Sequence, residues 1–111
     1  MKIVHQDYDQ LTVLTLKGEL SAEASEALRR VVGDRLAQKT RDFVIDCGDL
    51  EFADSKGLET MLWLQEQAGE RLGQVRLAAT TPTIEKILEI TRLLARFDRH
   101  PNVDAAIKSL R

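Results

Sequence analysis

At 111 residues the chain has room for one domain with a single core and none for a second. Hydrophobic residues make up 43% and charged residues 31%, with only two prolines and six glycines, a composition of globular rather than disordered chains. A formal net charge of -2 gives no electrostatic case for a polyanion, no apolar run is long enough to span a bilayer, and the opening MKIVHQDY has no signal pattern; neither direct nucleic-acid nor direct membrane contact is expected, and the expected location is cytoplasmic.

Ile3 and Val4 start a short strand, and Leu11 to Leu16 is a strong β-pattern, so the two read as a hairpin joined by the polar stretch Gln6 to Gln10. Lys17-Gly18-Glu19-Leu20 breaks the second strand. Ser21 is placed to cap a helix with Glu23 in its first turn, and Ala24, Leu28, Val31, Val32 and Leu36 line its apolar face opposite Glu23, Glu26 and Arg30. Gly33 inside that helix has no reason visible in the sequence.

Phe43, Val44 and Ile45, bounded by Asp46 and Gly48, are too few for a helix and read as a buried parallel strand. Cys47 at its end is unpaired and reads as a small core residue rather than a nucleophile. Phe52 and Ala53 return the chain toward the core. Asp54 is then the natural N-cap of a helix whose apolar residues are Leu58, Met61, Leu62, Ala68 and Leu72, with Ser55 its first residue, at the positive end and beside unpaired backbone N–H groups. Such a position tolerates added negative charge, favouring a phosphate by up to about 2 kcal/mol. Taken alone, Asp-Ser at a helix start reads as simple capping.

Gly69 and Gly73 flank the descent to a further parallel strand at Val75 to Ala79. Thr81-Pro82 is a cap followed by proline at the first helical position, with Ile84, Ile87 and Leu88 as the buried stripe. Leu93, Leu94 and Phe97 add core, His100-Pro101 ends the element that Phe97 starts, and Asp104 to Leu110 reads as a terminal helix. The order implies an α/β domain over residues 1–111: a mixed, mainly parallel sheet covered by about four helices, with the start of the Ser55 helix beyond the carboxyl end of the central strand.

Three segments resemble the STAS domain family, whose best-known members are the bacterial anti-anti-sigma factors. Gly18-Glu19-Leu20 is similar to the family's Gly-Glu-Leu/Ile/Val, Asp54-Ser55-Lys56-Gly57-Leu58 to its Asp-Ser-Ser/Thr/Ala-Gly-Leu, and Ile87 to Leu93 to its Leu-x-x-Thr/Ser-Gly-Leu segment. The resemblance implies an anti-sigma factor antagonist: a switch that, when unphosphorylated, binds an anti-sigma factor serine kinase of the histidine-kinase-like ATPase fold and so frees a sigma factor. It maps the phosphorylated residue onto Ser55 and implies reversal by a serine phosphatase. A cytosolic STAS subunit of a membrane lipid-transport ABC system, or an unphosphorylated signalling scaffold, is the alternative. Lys56 stands where the family has a small residue, and Arg92 where it has glycine; if the left-handed turn is kept, Arg92 costs about 1 kcal/mol or more.

The partner-binding surface expected from these readings comprises Glu19, Ser21, Asp54, Lys56, Gly57, Glu59 and Trp63 around Ser55. Trp63 falls on the polar face of its helix, and is expected either exposed in a partner or self-association interface, including a weak homodimer, or covered by a neighbouring loop. Asp46, Asp49, Glu51 and Asp54 read as strand-end and loop acids in water rather than a Mg²⁺ or phosphoryl-acceptor cluster. His5 and His100 are isolated, so neither a metal nor another cofactor is expected. With no nucleophile elbow, no P-loop and no base for Ser55, no catalytic residue is assigned and no enzymatic activity is expected.

Overall fold

The computed structural model describes residues 1–110. The strands are β1 (Lys2–Tyr8), β2 (Leu11–Leu20), β3 (Asp42–Asp46), β4 (Leu50–Ala53), β5 (Val75–Ala78) and β6 (Asp98–His100), and the helices are α1 (Ala22–Ala37), α2 (Ser55–Glu70), α3 (Pro82–Ile90) and α4 (Val103–Lys108). The sheet runs β1-β2-β3-β5-β6, antiparallel between β1 and β2 and parallel elsewhere. β4 stands off this path and pairs only with β2.

Alternation within the strands sorts the side chains into two cores. Leu14, Leu16, Phe43, Ile45 and Leu77 point to one face, where they meet Leu28 and Val32 of α1, Met61, Leu64 and Ala68 of α2, and Ile84 and Leu88 of α3. Val13, Val44 and Ala78 point to the other, which α4 covers with Ala106 and, just beyond its end, Leu110. Cys47 is fully buried, and burial, reinforced by the Asp46 carboxylate, pushes its thiol up to about 12.

Side-chain caps start all four helices: Ser21, Asp54, Thr81 and Asn102 each accept a hydrogen bond from the backbone N–H three residues on. The hairpin turn is tighter than the polar stretch suggests, since β1 continues to Tyr8 and only Asp9 and Gln10 lie between the strands. Lys17 to Leu20 does not break β2. The strand bulges between Gly18 and Glu19, with Gly18 at φ +109°, and passes from β3 to β4, pairing Glu19 with Phe52 and Leu20 with Ala53. Leu72 is not on the buried stripe of α2, which stops at Glu70; at φ +62° Leu72 belongs to the turn and is 88% exposed. Gly73 is required by packing, because a Cβ there would lie 1.9 Å from the Arg41 carbonyl oxygen.

Candidate functional site

The start of α2 is held by β2 and β4. Asp54 N–H donates to the Leu20 carbonyl at 3.2 Å, and Asp54 Oδ1 accepts from Gly57 N–H at 2.9 Å. Losing such a cap costs about 1 kcal/mol. Gly57 permits the close approach: a Cβ on it would sit 2.3 Å from the Leu20 carbonyl oxygen and 2.8 Å from Leu20 Cγ. Anchored this way, Ser55 becomes the first residue of the helix and is exposed. Its position one residue past the cap places its hydroxyl beside the positive end of a sixteen-residue helix.

Most of the residues expected to form a surface meet at this corner. The pairing of Glu19 and Leu20 with Phe52 and Ala53 brings Glu19 and Ser21 beside Asp54, and Glu19, Ser55, Lys56 and Glu59 are exposed. Lys56 Nζ lies 3.6 Å from Glu59 on its own helix, with both side chains about 60% exposed, so the cation is engaged in a weak surface pair. Ser21 and Gly57 serve the scaffold: Ser21 Oγ caps α1, and Gly57 is buried against Leu20.

Trp63 departs from the exposed alternative. Eight residues along α2 from Ser55, about 12 Å, it is half-buried against the main core, and the Arg29 guanidinium of α1 lies 4.7 Å from its ring centroid. A helix, not a loop, provides the cover, because α1 and α2 pack side by side on the same face of the sheet. Phe52 is also corrected: it is 46% exposed, since in β4 it alternates with the buried Ala53.

That exposure creates a feature the sequence reading missed. Phe52, Leu58, Ile87 and Ile90 surround an apolar cleft of about 340 Å³ whose rim includes Ser55 and Thr91. Ile90, 68% exposed, lies outside the stripe formed by Ile84, Ile87 and Leu88; this surplus apolar residue was the available signal. Arg92, just past Thr91, keeps the left-handed turn at φ +63°. The carboxylates Asp46, Asp49, Glu51 and Asp54 do not converge: Asp46 Oδ1 accepts from Gly48 N–H, Asp54 caps α2, and among the described residues no group of three or more His, Cys, Asp or Glu is placed to hold a metal ion. No helix among them is long and apolar enough to cross a membrane.

Comparison with known proteins agrees with the architecture. The family model for the STAS domain matches residues 2–106. A STAS-domain containing protein of Pseudomonas aeruginosa is 31% identical over 85 residues, covering 77% of this chain and 82% of that protein. Among solved structures, an anti-sigma factor antagonist from Mycobacterium paratuberculosis is 26% identical with a TM-score of 0.85, covering 99% of this chain and 93% of its own. The Bacillus cell fate determinant SpoIIAA in its phosphorylated form superposes with a TM-score of 0.78 at 21% identity, over 99% of this chain and 100% of its own.

Proposed function

The chain belongs to the STAS domain family, and from that membership we propose that it is an anti-sigma factor antagonist switched by phosphorylation of Ser55. The observation that carries this reading is the exposed Ser55 at the capped start of α2, on the rim of an apolar cleft. In the unphosphorylated state this corner binds an anti-sigma serine kinase of the histidine-kinase-like ATPase fold, and a serine phosphatase restores that state. The Mycobacterium paratuberculosis relative is described as an anti-sigma factor antagonist, and a protein of this fold, SpoIIAA, exists in a phosphorylated form; both support the reading.

The physical mechanism uses two properties of the corner. Added to Ser55, a phosphate of roughly two negative charges lies at a helix N-terminus, so α2 is not unfolded by it. The same group stands at the mouth of an apolar cleft, where any partner packed over it must desolvate the dianion. A loss of about 2.8 kcal/mol at the interface weakens binding about a hundredfold. This is the work of a regulator.

The test is incubation of the purified chain with ATP and each anti-sigma-type serine kinase of its own genome, followed by mass spectrometry, with Ser55→Ala as control. Phosphate on Ser55 together with dissociation of the pair is the expected result. Failure of every kinase to bind or modify the chain refutes the switch, and copurification with a transport ATPase would assign it to the transporter alternative.

A further inference from the structure

β1 is a free edge of the sheet: it pairs with β2 on one side and with no described strand on the other. Alternate residues of an antiparallel strand turn their N–H and C=O outward, so this edge carries a row of unpaired backbone groups. Edges are commonly blunted by proline, a bulge, extreme shortness or charged side chains; the acid and base of β1 are Asp7, whose carboxylate Thr12 and Arg35 engage, and Lys2 at the strand's first position. β1 is seven residues long without proline, and its register against β2 runs unbroken from Lys2 opposite Lys17 to Tyr8 opposite Leu11.

The two faces of the strand follow from its packing. Ile3 packs on the main core, so Ile3, His5 and Asp7 lie on the side of α1, where Arg35 Nη1 donates to Asp7 Oδ2 at 3.0 Å. Lys2, Val4, Gln6 and Tyr8 lie on the other side. There α4, only six residues long, reaches Val13 and Val44 but leaves Val4 37% and Tyr8 52% exposed.

The order of these residues makes the strand complementary to itself. A two-fold axis through Gln6, perpendicular to the sheet, keeps the faces of two copies matched. It places Val4 opposite Tyr8, His5 opposite Asp7, and Gln6 opposite Gln6. Each exposed apolar side chain then meets an apolar partner, the pairing that stabilises antiparallel strands, and each imidazole faces a carboxylate. His5 Nδ1 lies 3.0 Å from Asp7 Oδ2 of its own strand, which leaves Nε2 for Asp7 of the second copy. Thr12 and Arg35 hold that carboxylate in place. The other registers are poorer. Centring on His5 sets His5 against His5 and Ile3 against Asp7, centring on Val4 leaves Tyr8 without a partner, and a one-residue slip reverses the faces.

Helix placement leaves room for this pairing. α1 packs most closely on β2 and reaches β1 through Arg35, so two copies of α1 lie about three strand spacings apart, about 14 Å. That exceeds the 8–10 Å at which helices pack. We propose that two copies of this chain pair antiparallel along β1 through a two-fold axis at Gln6, joining their sheets into one continuous sheet. The interface is isologous and small, which places it among weak, transient contacts.

Sedimentation of the full chain from about 10 µM to 1 mM, combined with cross-linking, tests this. Mild oxidation of Gln6→Cys should give a covalent dimer at least about tenfold faster than Lys2→Cys, because opposed residues on paired strands fall within disulfide reach and Lys2 lies opposite Gln10 of the second copy. Cys47 is buried and stays out of the reaction. The double variant Val4→Lys/Tyr8→Lys should sediment as a monomer, as should Val4→Glu/Tyr8→Glu, while an equimolar mixture of the two should form a heterodimer. Circular dichroism checks that each variant keeps the fold. A wild-type chain that stays monomeric at 1 mM overturns the proposal. So does equal cross-linking at positions 2 and 6, or a dimer that survives in the lysine variant, which would move the interface to another surface such as that around Trp63.

Discussion

Replacing Gly57 by alanine adds one methyl group where α2 presses on β2. The new Cβ would lie 2.3 Å from the Leu20 carbonyl oxygen, about 1 Å short of ordinary contact. The carbonyl cannot turn away freely, because it accepts from Asp54 N–H and Leu20 is paired with Ala53. The start of the helix must therefore lift. Overpacking of this kind costs about 1–3 kcal/mol, and backbone on both sides of the contact puts the cost near the top of that range. The helix preference of alanine returns at most about 1 kcal/mol. A net loss of about 2 kcal/mol lowers the melting temperature by roughly 8 °C in a domain of this size. Gly33→Ala is the internal standard: nothing lies within 4 Å of a Cβ there, so the same change should stabilise by about 1 kcal/mol, or roughly 4 °C. Thermal melts and urea titrations of both variants decide the matter. A Gly57→Ala protein that melts at or above the wild type, or a Gly33→Ala protein destabilised to the same degree, would refute the packing argument. Because the lift displaces Ser55 without touching its hydroxyl, Gly57→Ala should also slow phosphorylation by any kinase that modifies the wild type.

Four further outcomes are expected. Arg92→Gly relieves the left-handed backbone at φ +63° and should stabilise by about 0.5–1 kcal/mol in urea titration, part of the relief being lost to the greater unfolded freedom of glycine. Thr60→Val removes a fully buried hydroxyl that lacks a hydrogen-bond partner and should raise stability by about 1 kcal/mol at nearly constant volume; a loss would show that the hydroxyl is satisfied. Cys47, with its thiol pushed up to about 12 by burial, should react with a thiol reagent at pH 8 only as fast as the chain opens, and prompt labelling of the native protein would contradict its placement. Burial raises Asp7, but the Thr12 hydroxyl, Arg35 and His5 outweigh it and hold Asp7 below the usual carboxylate value; hydrogen bonds from Thr80 and Arg99 do the same for Glu85. Depressed carboxylates stabilise the fold above their unfolded pKa of about 4 and lose that contribution as pH falls through the folded values, so stability should decline below about pH 4 and Asp7→Asn should flatten the decline.

Local chemistry made much of the chain legible in one dimension. The β-rich runs at Leu11 to Leu16 and Phe43 to Ile45, the caps Ser21, Asp54 and Thr81, and Pro82 after its cap are short-range signals, because strand alternation and helix capping act over a few residues. With them came the α/β class and the place of Ser55 at a helix start. The resemblance marked Arg92 as the place where a left-handed turn would carry a non-glycine residue, and the structure keeps that turn at φ +63°.

What only the tertiary structure decided depends on which elements become neighbours. β2 continues through Gly18 because β4 stands ready to pair with it, a partner more than thirty residues away that no local pattern announces. Phe52 and Ile90 form one cleft beside Ser55 only when β4 and α3 are brought together, and Trp63 is covered because α1 places Arg29 over its ring. Gly57 and Gly33 look alike in sequence; one faces the Leu20 carbonyl and the other faces water. Sequence carries the preferences of each segment, whereas burial and contact belong to pairs of segments, and they exist only once the chain has folded.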